Sequence, residues 1–339
     1  MTPPLLAVGG LGVQFVGERT AQALTDLSFD VGHGEVLALL GESGCGKSVT
    51  LRTLLRLHAP QHTRITGQIQ LDGRDVLALR GRELQHYRGG TVSMVFQKPG
   101  LAFDPVYTIG DQIAQGVRAH EGVDRTAARQ RALQMLERVQ IPQARRRLDA
   151  YAHELSGGMR QRAMIALALA CKPKLLLADE PTTALDATVQ IQILLLLREL
   201  QRETGMSVIF VTHDIGAAVE VADRIAVMYA GRIVEENSVA DILTAPRHPY
   251  SAGLLASTVT AAHRGHVLPT IAGAPPDLAA LPTGCAFGAR CEAATARCRE
   301  QQPALQRNGS AALACWNPAG SLQASGHARA TPIATVPHG

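Results

Sequence analysis

The chain has 339 residues, of which 46% are apolar, and its 33 basic and 29 acidic residues give a net charge of +4. This apolar fraction excludes a disordered chain, and basic residues spread without a dominant block give no reason to expect a nucleic-acid partner. The apolar runs, such as Ile193–Leu197, are far shorter than the roughly 20 residues that cross a bilayer. No secretion signal is recognisable at the amino terminus, so we expect a cytosolic protein that reaches a membrane only through a partner.

Short β-rich runs, taken in chain order, predict two sheets. An antiparallel layer is predicted from Leu5–Val8, Gly12–Phe15, Ser28–Val31 and Gln68–Leu71. A largely parallel sheet is predicted from Val36–Leu40, Thr91–Phe96, Lys174–Ala178, Ser207–Val211 and Ile225–Tyr229. Residues from about 98 to 172 carry helical patterns and predict an inserted helical subdomain. The fold class is therefore α/β, with a mixed sheet core, an antiparallel β layer and a helical insert.

The composition changes after His248-Pro249-Tyr250. Proline, alanine and glycine become more frequent, β-rich runs stop, and four of the six cysteines follow. We predict a main domain over residues 1–250, a small cysteine-containing extension over 251–318, and a flexible tail over 319–339.

The most informative motif is Gly41-Glu42-Ser43-Gly44-Cys45-Gly46-Lys47-Ser48, which follows the predicted strand Val36–Leu40. Its glycines allow a tight turn whose N–H groups point inward, and the helix that starts near Gly46 adds the positive end of its dipole. Lys47 would reach the β- and γ-phosphates, and the Ser48 hydroxyl would coordinate Mg²⁺. The motif therefore predicts a P-loop that binds a nucleotide.

Two acids end a later predicted strand, in Leu175-Leu176-Leu177-Ala178-Asp179-Glu180. Carboxyl ends of parallel strands share the sheet edge at which α/β proteins bind ligands, so both carboxylates should lie beside the P-loop. We predict that Asp179 holds Mg²⁺ and that Glu180 orients or deprotonates the attacking water as general base.

A second anion-binding helix terminus is predicted at Leu155-Ser156-Gly157-Gly158-Met159-Arg160-Gln161-Arg162. One nucleotide seldom needs two such sites in one subunit. With this motif the chain resembles the ATPase subunit of an ATP-binding cassette (ABC) transporter. In that family the Leu-Ser-Gly-Gly signature, here with Ser156, Gly157 and Gly158, closes on the γ-phosphate held by the P-loop of another subunit. Met159 replaces a common Gln, and this does not affect the contacts of the serine and glycines.

The resemblance implies roles for one further motif and three single residues. Gln97 matches the Q-loop, which senses Mg²⁺ and the γ-phosphate. Ala184-Leu185-Asp186 matches the D-loop, which crosses the dimer interface. His213 matches the switch histidine at the γ-phosphate, and Phe15 stands where the family places a ring against adenine. Considered alone, His213 would be read as a capping or packed histidine, and a core aromatic explains Phe15 almost as well.

Further local matches resemble the oligopeptide and dipeptide importer branch of the family. They are Asp104–Ile113, His248-Pro249-Tyr250 and Ile271-Ala272-Gly273-Ala274-Pro275-Pro276. The resemblance implies an ATPase that uses ATP and Mg²⁺ to power peptide import from the cytoplasmic face of the membrane. Its partners would be two permeases, a second ATPase subunit, either another copy or a related chain, and indirectly an external peptide-binding protein. A nickel or other small-solute importer, and a soluble ABC ATPase, are the alternatives.

Four cysteines of the extension form a candidate metal site: Cys285, Cys291, Cys298 and Cys315. Four thiolates could hold a [4Fe–4S] cluster or a tetrahedral zinc ion, but the usual Cys-x-x-Cys spacing does not occur. Spacing alone therefore leaves free or buried thiols as an equal alternative. Subunits of the resembling family can carry an iron–sulfur cluster in this extension, which makes the cluster the preferred prediction over zinc.

Overall fold

Twelve strands in two sheets form the centre of the computed structural model, which describes residues 3–183, 185–258 and 270–319. The strands are β1 Leu6–Phe15, β2 Ala21–Val31, β3 Val36–Leu40, β4 Thr63–Leu71, β5 Arg74–Asp75, β6 Val92–Val95, β7 Leu175–Asp179, β8 Ser207–Thr212, β9 Arg224–Tyr229, β10 Arg232–Ser238, β11 Gln306–Asn308 and β12 Ala311–Leu313. One sheet has four strands in the order β2-β1-β4-β5, and the other has eight in the order β11-β12-β10-β9-β3-β8-β7-β6. An apolar core between the two sheets joins them.

The centre of the large sheet is parallel, and its strands are apolar on both faces. Every residue of β3, β7 and β8 is buried, as expected for parallel strands that are covered on both sides. β8 lies between β3 and β7 and pairs with both in parallel. The carboxyl ends of β3 and β7 therefore lie at one sheet edge, two strands apart.

The antiparallel layer differs from the prediction in its first strand. Apart from Leu5, the predicted runs Leu5–Val8 and Gly12–Phe15 belong to one continuous strand, β1, whose register with β2 shifts after Val8. Gly10 lies in the left-handed region at φ +57°, which places an irregular bulge there. The glycines between the two predicted runs indicated that one strand ends there and another begins. A bulge, however, interrupts the pairing locally without ending the strand.

Eleven α-helices lie among the described residues. They are α1 Lys47–Leu54, α2 Gly81–His86, α3 Ile109–Glu121, α4 Arg125–Arg138, α5 Ala144–Arg147, α6 Gly157–Leu169, α7 Ala187–Thr204, α8 Ile215–Val221, α9 Val239–Thr244, α10 Pro249–Ala256 and α11 Ala296–Glu300. Between β6 and β7 all regular elements are helical, in agreement with the predicted helical insert. None of the helices within residues 3–183, 185–258 and 270–319 combines the length and apolarity that crossing a bilayer requires.

The C-terminal extension adds β structure that we did not predict. The hairpin β11–β12 pairs with β10, with Glu235 opposite Leu313, and so lengthens the large sheet by two strands. Gly309-Ser310 forms its two-residue turn, with Gly309 at φ +62°, and Gly-Ser between two strands is a hairpin signal even when the strands are only three residues long. Residues 259–269 of the extension and 320–339 of the predicted tail lie outside the described residues.

His248 lies close to the boundary between the main domain and the extension, and it is only 1% exposed. Its Nδ1 accepts a hydrogen bond from the Tyr250 N–H at 3.0 Å, which caps α10. Burial lowers the pKa of His248 to about 4. In the unfolded chain a histidine titrates near pH 6.5, so between these values the unfolded chain binds more protons than the folded chain. Stability should therefore fall as the pH drops through this window.

We expect the substitution His248→Asn to remove this pH dependence while retaining the helix cap, because asparagine is a good N-cap residue. Between pH 7 and pH 5 the unmodified protein should lose about 2 kcal/mol more stability than the variant. Urea unfolding of both proteins at the two pH values measures the difference. Equal losses would show that the His248 ring is not the group responsible.

Candidate active site

The P-loop connects the end of β3 to the start of α1 and requires a glycine where the helix begins. Gly46 has φ +109°, a conformation that residues with a side chain rarely adopt. A Cβ at this position would lie 2.7 Å from Leu24 Cδ2 and 3.0 Å from the Ala23 carbonyl oxygen. The close packing of β2 therefore leaves room only for glycine before Lys47.

The Lys47 side chain is folded back onto the P-loop. Its Nζ donates to the carbonyl oxygens of Gly41, at 2.6 Å, and of Glu42, at 3.1 Å, and the residue is 5% exposed. Carbonyl oxygens are neutral acceptors, whereas phosphate oxygens are charged and form stronger bonds with an ammonium group. Lys47 can therefore exchange these contacts for a phosphate without leaving the loop.

Ser48 and Asp179 meet where the ends of β3 and β7 come together. The Ser48 hydroxyl donates to Asp179 Oδ1 at 2.8 Å. Burial raises the pKa of Asp179, against the opposing effect of the Ser48 hydrogen bond. A hydroxyl and a carboxylate are oxygen ligands of the kind that Mg²⁺ uses beside phosphates. The predicted Mg²⁺ ligands Ser48 and Asp179 therefore lie together.

Glu180 is the centre of a second polar group at the same edge. Its Oε2 accepts from Gln97 Nε2 at 2.9 Å and from the Thr183 hydroxyl at 3.0 Å, and its Oε1 lies 3.2 Å from His213 Nδ1. Burial raises the pKa of Glu180, but the hydrogen bonds from Thr183 and His213 outweigh it and the net shift is downward. The carboxylate is therefore ionised at neutral pH and can accept a proton.

The backbone also points to a special role for Glu180. Its φ is +45°, in the left-handed region that non-glycine residues seldom occupy and that is common at functional sites. Its N–H donates to the Val211 carbonyl oxygen at 3.0 Å, which ties the turn after β7 to β8. The structure thus brings Gln97, Glu180 and His213 together. Sequence reasoning missed Thr183, although its position three residues after Glu180 was a usable signal.

Two family models match the chain. The model described as ABC transporter covers residues 24–183, and the model described as oligopeptide/dipeptide transporter, C-terminal region, covers residues 234–298. A probable peptide ABC transporter ATP-binding protein of Sinorhizobium fredii is 48% identical over 317 residues, which are 92% of this chain and 94% of the relative. The chain belongs to the ABC transporter ATP-binding protein family.

Solved structures agree with this family and with the predicted fold class. A dimeric ATP-binding cassette, MJ0796, in a post-hydrolysis state with ADP and Pi, superposes with a TM-score of 0.61 at 30% identity. That match covers 69% of this chain and 98% of the cassette. The cbiO1 subunit of the cbiONQ ABC transporter complex from Clostridium perfringens gives a TM-score of 0.61 at 26% identity, over 71% of this chain and 91% of the subunit. The predicted ATPase activity and fold class of this ABC ATPase are thereby confirmed.

The signature and D-loop residues of this ABC ATPase begin two helices. The Ser156 hydroxyl accepts from the Met159 N–H at 3.3 Å at the start of α6, and Asp186 Oδ1 accepts from the Val189 N–H at 3.0 Å at the start of α7. Ala184 lies outside the described residues. These contacts hold Ser156 and Asp186 at helix N-termini, and their role across a dimer interface stays a prediction.

Phe15 ends β1 and packs its half-buried ring edge-on against the His58 imidazole, with the ring centres 5.3 Å apart. The Phe15 ring therefore already contacts one side chain, that of His58. Contact of Phe15 with adenine stays a prediction.

The four cysteines of the extension line one cavity of about 10 Å³, together with His248, Phe287 and Trp316. A cavity of this volume holds roughly one water molecule. Within the part of the chain that the structure describes, no three Cys, His, Asp or Glu side chains are placed to hold a metal ion. The cysteines thus supply the number and type of ligands that a cluster needs, but not a ready-made set of coordination positions.

Proposed function

We propose that this chain hydrolyses ATP to power the import of di- and oligopeptides through a membrane ABC transporter. The observation that carries the proposal is the combination in one chain of the P-loop and acid site with a C-terminal region of the oligopeptide/dipeptide transporter type. The name of the Sinorhizobium relative, a peptide transporter protein, supports the same cargo. Nickel or another small solute is the competing cargo, because the ATPase itself does not touch what is transported.

Each residue of the site has a separate proposed role in ATP hydrolysis. Lys47 and the P-loop amides bind the phosphates, while Ser48, Asp179 and Gln97 are the proposed Mg²⁺ ligands. When bound, Mg²⁺ neutralises charge on the β- and γ-phosphate oxygens. Glu180 takes the proton of the attacking water, and Gln97 and Thr183 fix the orientation of its carboxylate. His213, with a side chain that is 56% exposed, lies beside Glu180 and is the proposed contact of the γ-phosphate.

A second ATPase subunit would complete each site. Ser156, Gly157 and Gly158 at the start of α6 present N–H groups to an anion, and Asp186 at the start of α7 would border the same interface. We propose that these residues bind the nucleotide held by the partner's P-loop. The partner is another copy of this chain or a related ATPase.

The surface next to Gln97 is the proposed docking site of the two permeases. Phe96, Val106 and Tyr107 expose 40%, 72% and 55% of their surfaces, an unusual share for large apolar residues. Phe96 directly precedes Gln97, and Val106 and Tyr107 lie between Gln97 and α3, so a permease bound here would contact the segment that holds Gln97. We therefore propose that the protein is bound peripherally at the cytoplasmic face of the membrane, with an extracytoplasmic peptide-binding protein as an indirect partner.

We also propose limits for the domains of the chain. We assign residues 1–250 to the nucleotide-binding domain, with a helical subdomain at about 98–172, residues 251–318 to the extension, and 319–339 to a tail. The second family model starts at residue 234, so the extension-type sequence begins within β10.

The test of the proposed function is to isolate the chain from its native membranes in mild detergent and to identify bound proteins by mass spectrometry. Two permeases together with a second ATPase would support the importer. A Val106→Asp/Tyr107→Asp variant should lose the permeases and retain ATP hydrolysis. Recovery of soluble partners alone would move the function to a non-transport class.

The cofactor proposed for the extension is a [4Fe–4S] cluster on Cys285, Cys291, Cys298 and Cys315, with zinc as the alternative. Its support is that all four thiols line one cavity, and that Thr295 Oγ1 and Asn317 Nδ2 lie 3.5 and 3.6 Å from the Cys298 sulfur. Such polar contacts stabilise thiolate ligands of clusters.

Protein purified without oxygen should be brown, with broad absorption at roughly 400 nm and about four iron and four sulfide per chain. Cys291→Ser should lose the colour, whereas Cys171→Ser, outside the cavity, should retain it. Zinc without iron would support the alternative, and colourless protein with neither metal would contradict both.

A further inference from the structure

Arg290 of the extension makes a two-point contact with the P-loop, across 248 positions of sequence. Its Nη1 donates to Glu42 Oε2 at 2.7 Å and its Nη2 donates to Glu42 Oε1 at 2.9 Å. The Arg290 side chain is 5% exposed, and that of Glu42 is 28% exposed. An arginine and a carboxylate that are paired by two parallel hydrogen bonds interact strongly and in a fixed orientation.

The extension holds the guanidinium in place from its other sides. Arg290 Nε donates to the Ala272 carbonyl oxygen at 2.9 Å, and Nη2 donates to that of Ile271 at 3.2 Å. Nη1 also donates to the Tyr229 hydroxyl at 3.2 Å. The guanidinium carbon lies 5.8 Å from the centre of the Tyr229 ring and 5.9 Å from that of Phe287. Arg290 is therefore fixed independently of Glu42 and sets the position of its carboxylate.

Glu42 is held by its backbone as well. Its N–H donates to the Tyr250 hydroxyl at 2.9 Å, and its carbonyl oxygen accepts from Lys47 Nζ at 3.1 Å. Lys47 is the residue that must leave this carbonyl for a phosphate. The position of Glu42 thus bears directly on the side chain that binds ATP.

The charge of Glu42 has its own consequence. An ionised carboxylate in the P-loop lies near the site of the nucleotide phosphates and repels them unless a cation neutralises it. Arg290 supplies that cation from outside the P-loop. Without Arg290, the Glu42 carboxylate would be partly buried in the P-loop without its cation.

From these contacts we infer that Arg290 is a positioning residue of the nucleotide site, through which the C-terminal extension sets the affinity of the P-loop for ATP. The inference rests on the proposed ATP site. It also gives a role to Ile271-Ala272-Gly273-Ala274-Pro275-Pro276, whose first two carbonyls hold Arg290. Pro275 and Pro276 line a cavity of about 380 Å³ against the P-loop residues 42–45.

The cysteine cavity is adjacent in the chain. Arg290 ends the turn Gly288–Arg290, and Cys291, the next residue, lines the cavity. A change in the state of those thiols would therefore reach Glu42 through a single rigid side chain. Because coupling between two sites is reciprocal, nucleotide binding would in turn alter the surroundings of the cysteines that line the cavity.

The test is a set of five variants of the full-length chain, studied by equilibrium binding of ATP and by steady-state hydrolysis. Arg290→Met should raise the Kd and KM for ATP about tenfold, an ordinary size for coupling between two sites. The kcat at saturating ATP should stay within about twofold, because Glu180 and His213 are untouched. Arg290→Lys, which keeps the charge but loses the two-point contact, should give an intermediate Kd.

A rescue experiment distinguishes a positioning role of Arg290 from a general contribution of Arg290 to the stability of the fold. In Arg290→Met/Glu42→Gln the unpaired charge is gone, so the Kd for ATP should return to within about threefold of that of Glu42→Gln alone. The matched control is Arg307→Met. Arg307 also ties the extension to the main body, through Glu236 at 3.2 Å and the Ser28 carbonyl oxygen at 2.9 Å, but it does not contact the P-loop. Its removal should leave the Kd for ATP unchanged.

The sole tryptophan of the chain offers a second readout. Trp316 lines the cysteine cavity, so ATP should shift its fluorescence in the unmodified protein and in Arg307→Met but not in Arg290→Met. An unchanged Kd in both Arg290 variants, or a double variant as weak as the product of the single effects, would overturn the inference alone. Failure of the unmodified chain to bind ATP would overturn the nucleotide site itself.

Discussion

Replacement of Glu180 by glutamine should lower ATP turnover by about two to four orders of magnitude, the usual contribution of a general base. Glutamine has nearly the same shape, so its amide oxygen can still accept from Gln97 and Thr183, which lie 2.9 and 3.0 Å from Glu180 Oε2. What is lost is the ionised carboxylate that we propose as the acceptor of the proton of water. Hydrolysis measured at saturating ATP reports this loss directly.

The same variant should bind ATP with a Kd within about threefold of normal, since its P-loop is intact, and should accumulate as an ATP-bound dimer. Size-exclusion chromatography with ATP and Mg²⁺ would detect that dimer. Glu83→Gln, an exposed glutamate on α2, is the matched control and should leave turnover unchanged. Turnover of Glu180→Gln within threefold of the control would assign the base to another residue.

Replacement of Lys47 by alanine should act earlier, on nucleotide binding. The ammonium group is the one cation that the P-loop motif itself contributes, and each hydrogen bond to a charged group contributes about 1.5–3 kcal/mol. We therefore expect the Kd for ATP to rise about 10- to 100-fold. Isothermal titration with ATP measures it without requiring hydrolysis.

Lys174→Ala serves as the control for Lys47→Ala. Lys174 precedes β7 and its 57% exposed side chain forms a surface ion pair with Asp72, so its removal should cost little and leave ATP affinity unchanged. An unaltered Kd in Lys47→Ala would remove the basis for the proposed phosphate site. A loss in both variants would indicate damage to the fold.

Much of this site was predictable because its residues follow strands whose pattern is strong. Val36–Leu40 and Leu175–Asp179 are apolar throughout, so the sequence indicated buried parallel strands, and their carboxyl ends placed Lys47, Ser48, Asp179 and Glu180 together. Gln97 and His213 came from the family resemblance, since a single polar residue after a strand is weak evidence. The structure adds the contacts that join both residues to Glu180.

The extension was harder to predict because its structure depends on long-range pairing. β11 and β12 have three residues each, too few for any alternation to be visible, and they are ordered by pairing with β10. β10 itself contains Glu235 and Glu236, which read as exposed polar residues but are buried against backbone N–H groups and arginines. Arg290 carries no local signal for its contact with Glu42.

The C-terminal hairpin β11–β12 also affects whether the large sheet can pair with strands of other chains. Without the hairpin, the strand β10 would present unpaired N–H and C=O groups along one edge of the remaining six-stranded sheet, and such edges recruit foreign strands. The hairpin covers them and leaves β11 outermost, a three-residue strand that is polar and exposed throughout. A segment this short and hydrophilic is a poor template for aggregation. The hairpin thus shields this edge of the large sheet from strands of other chains.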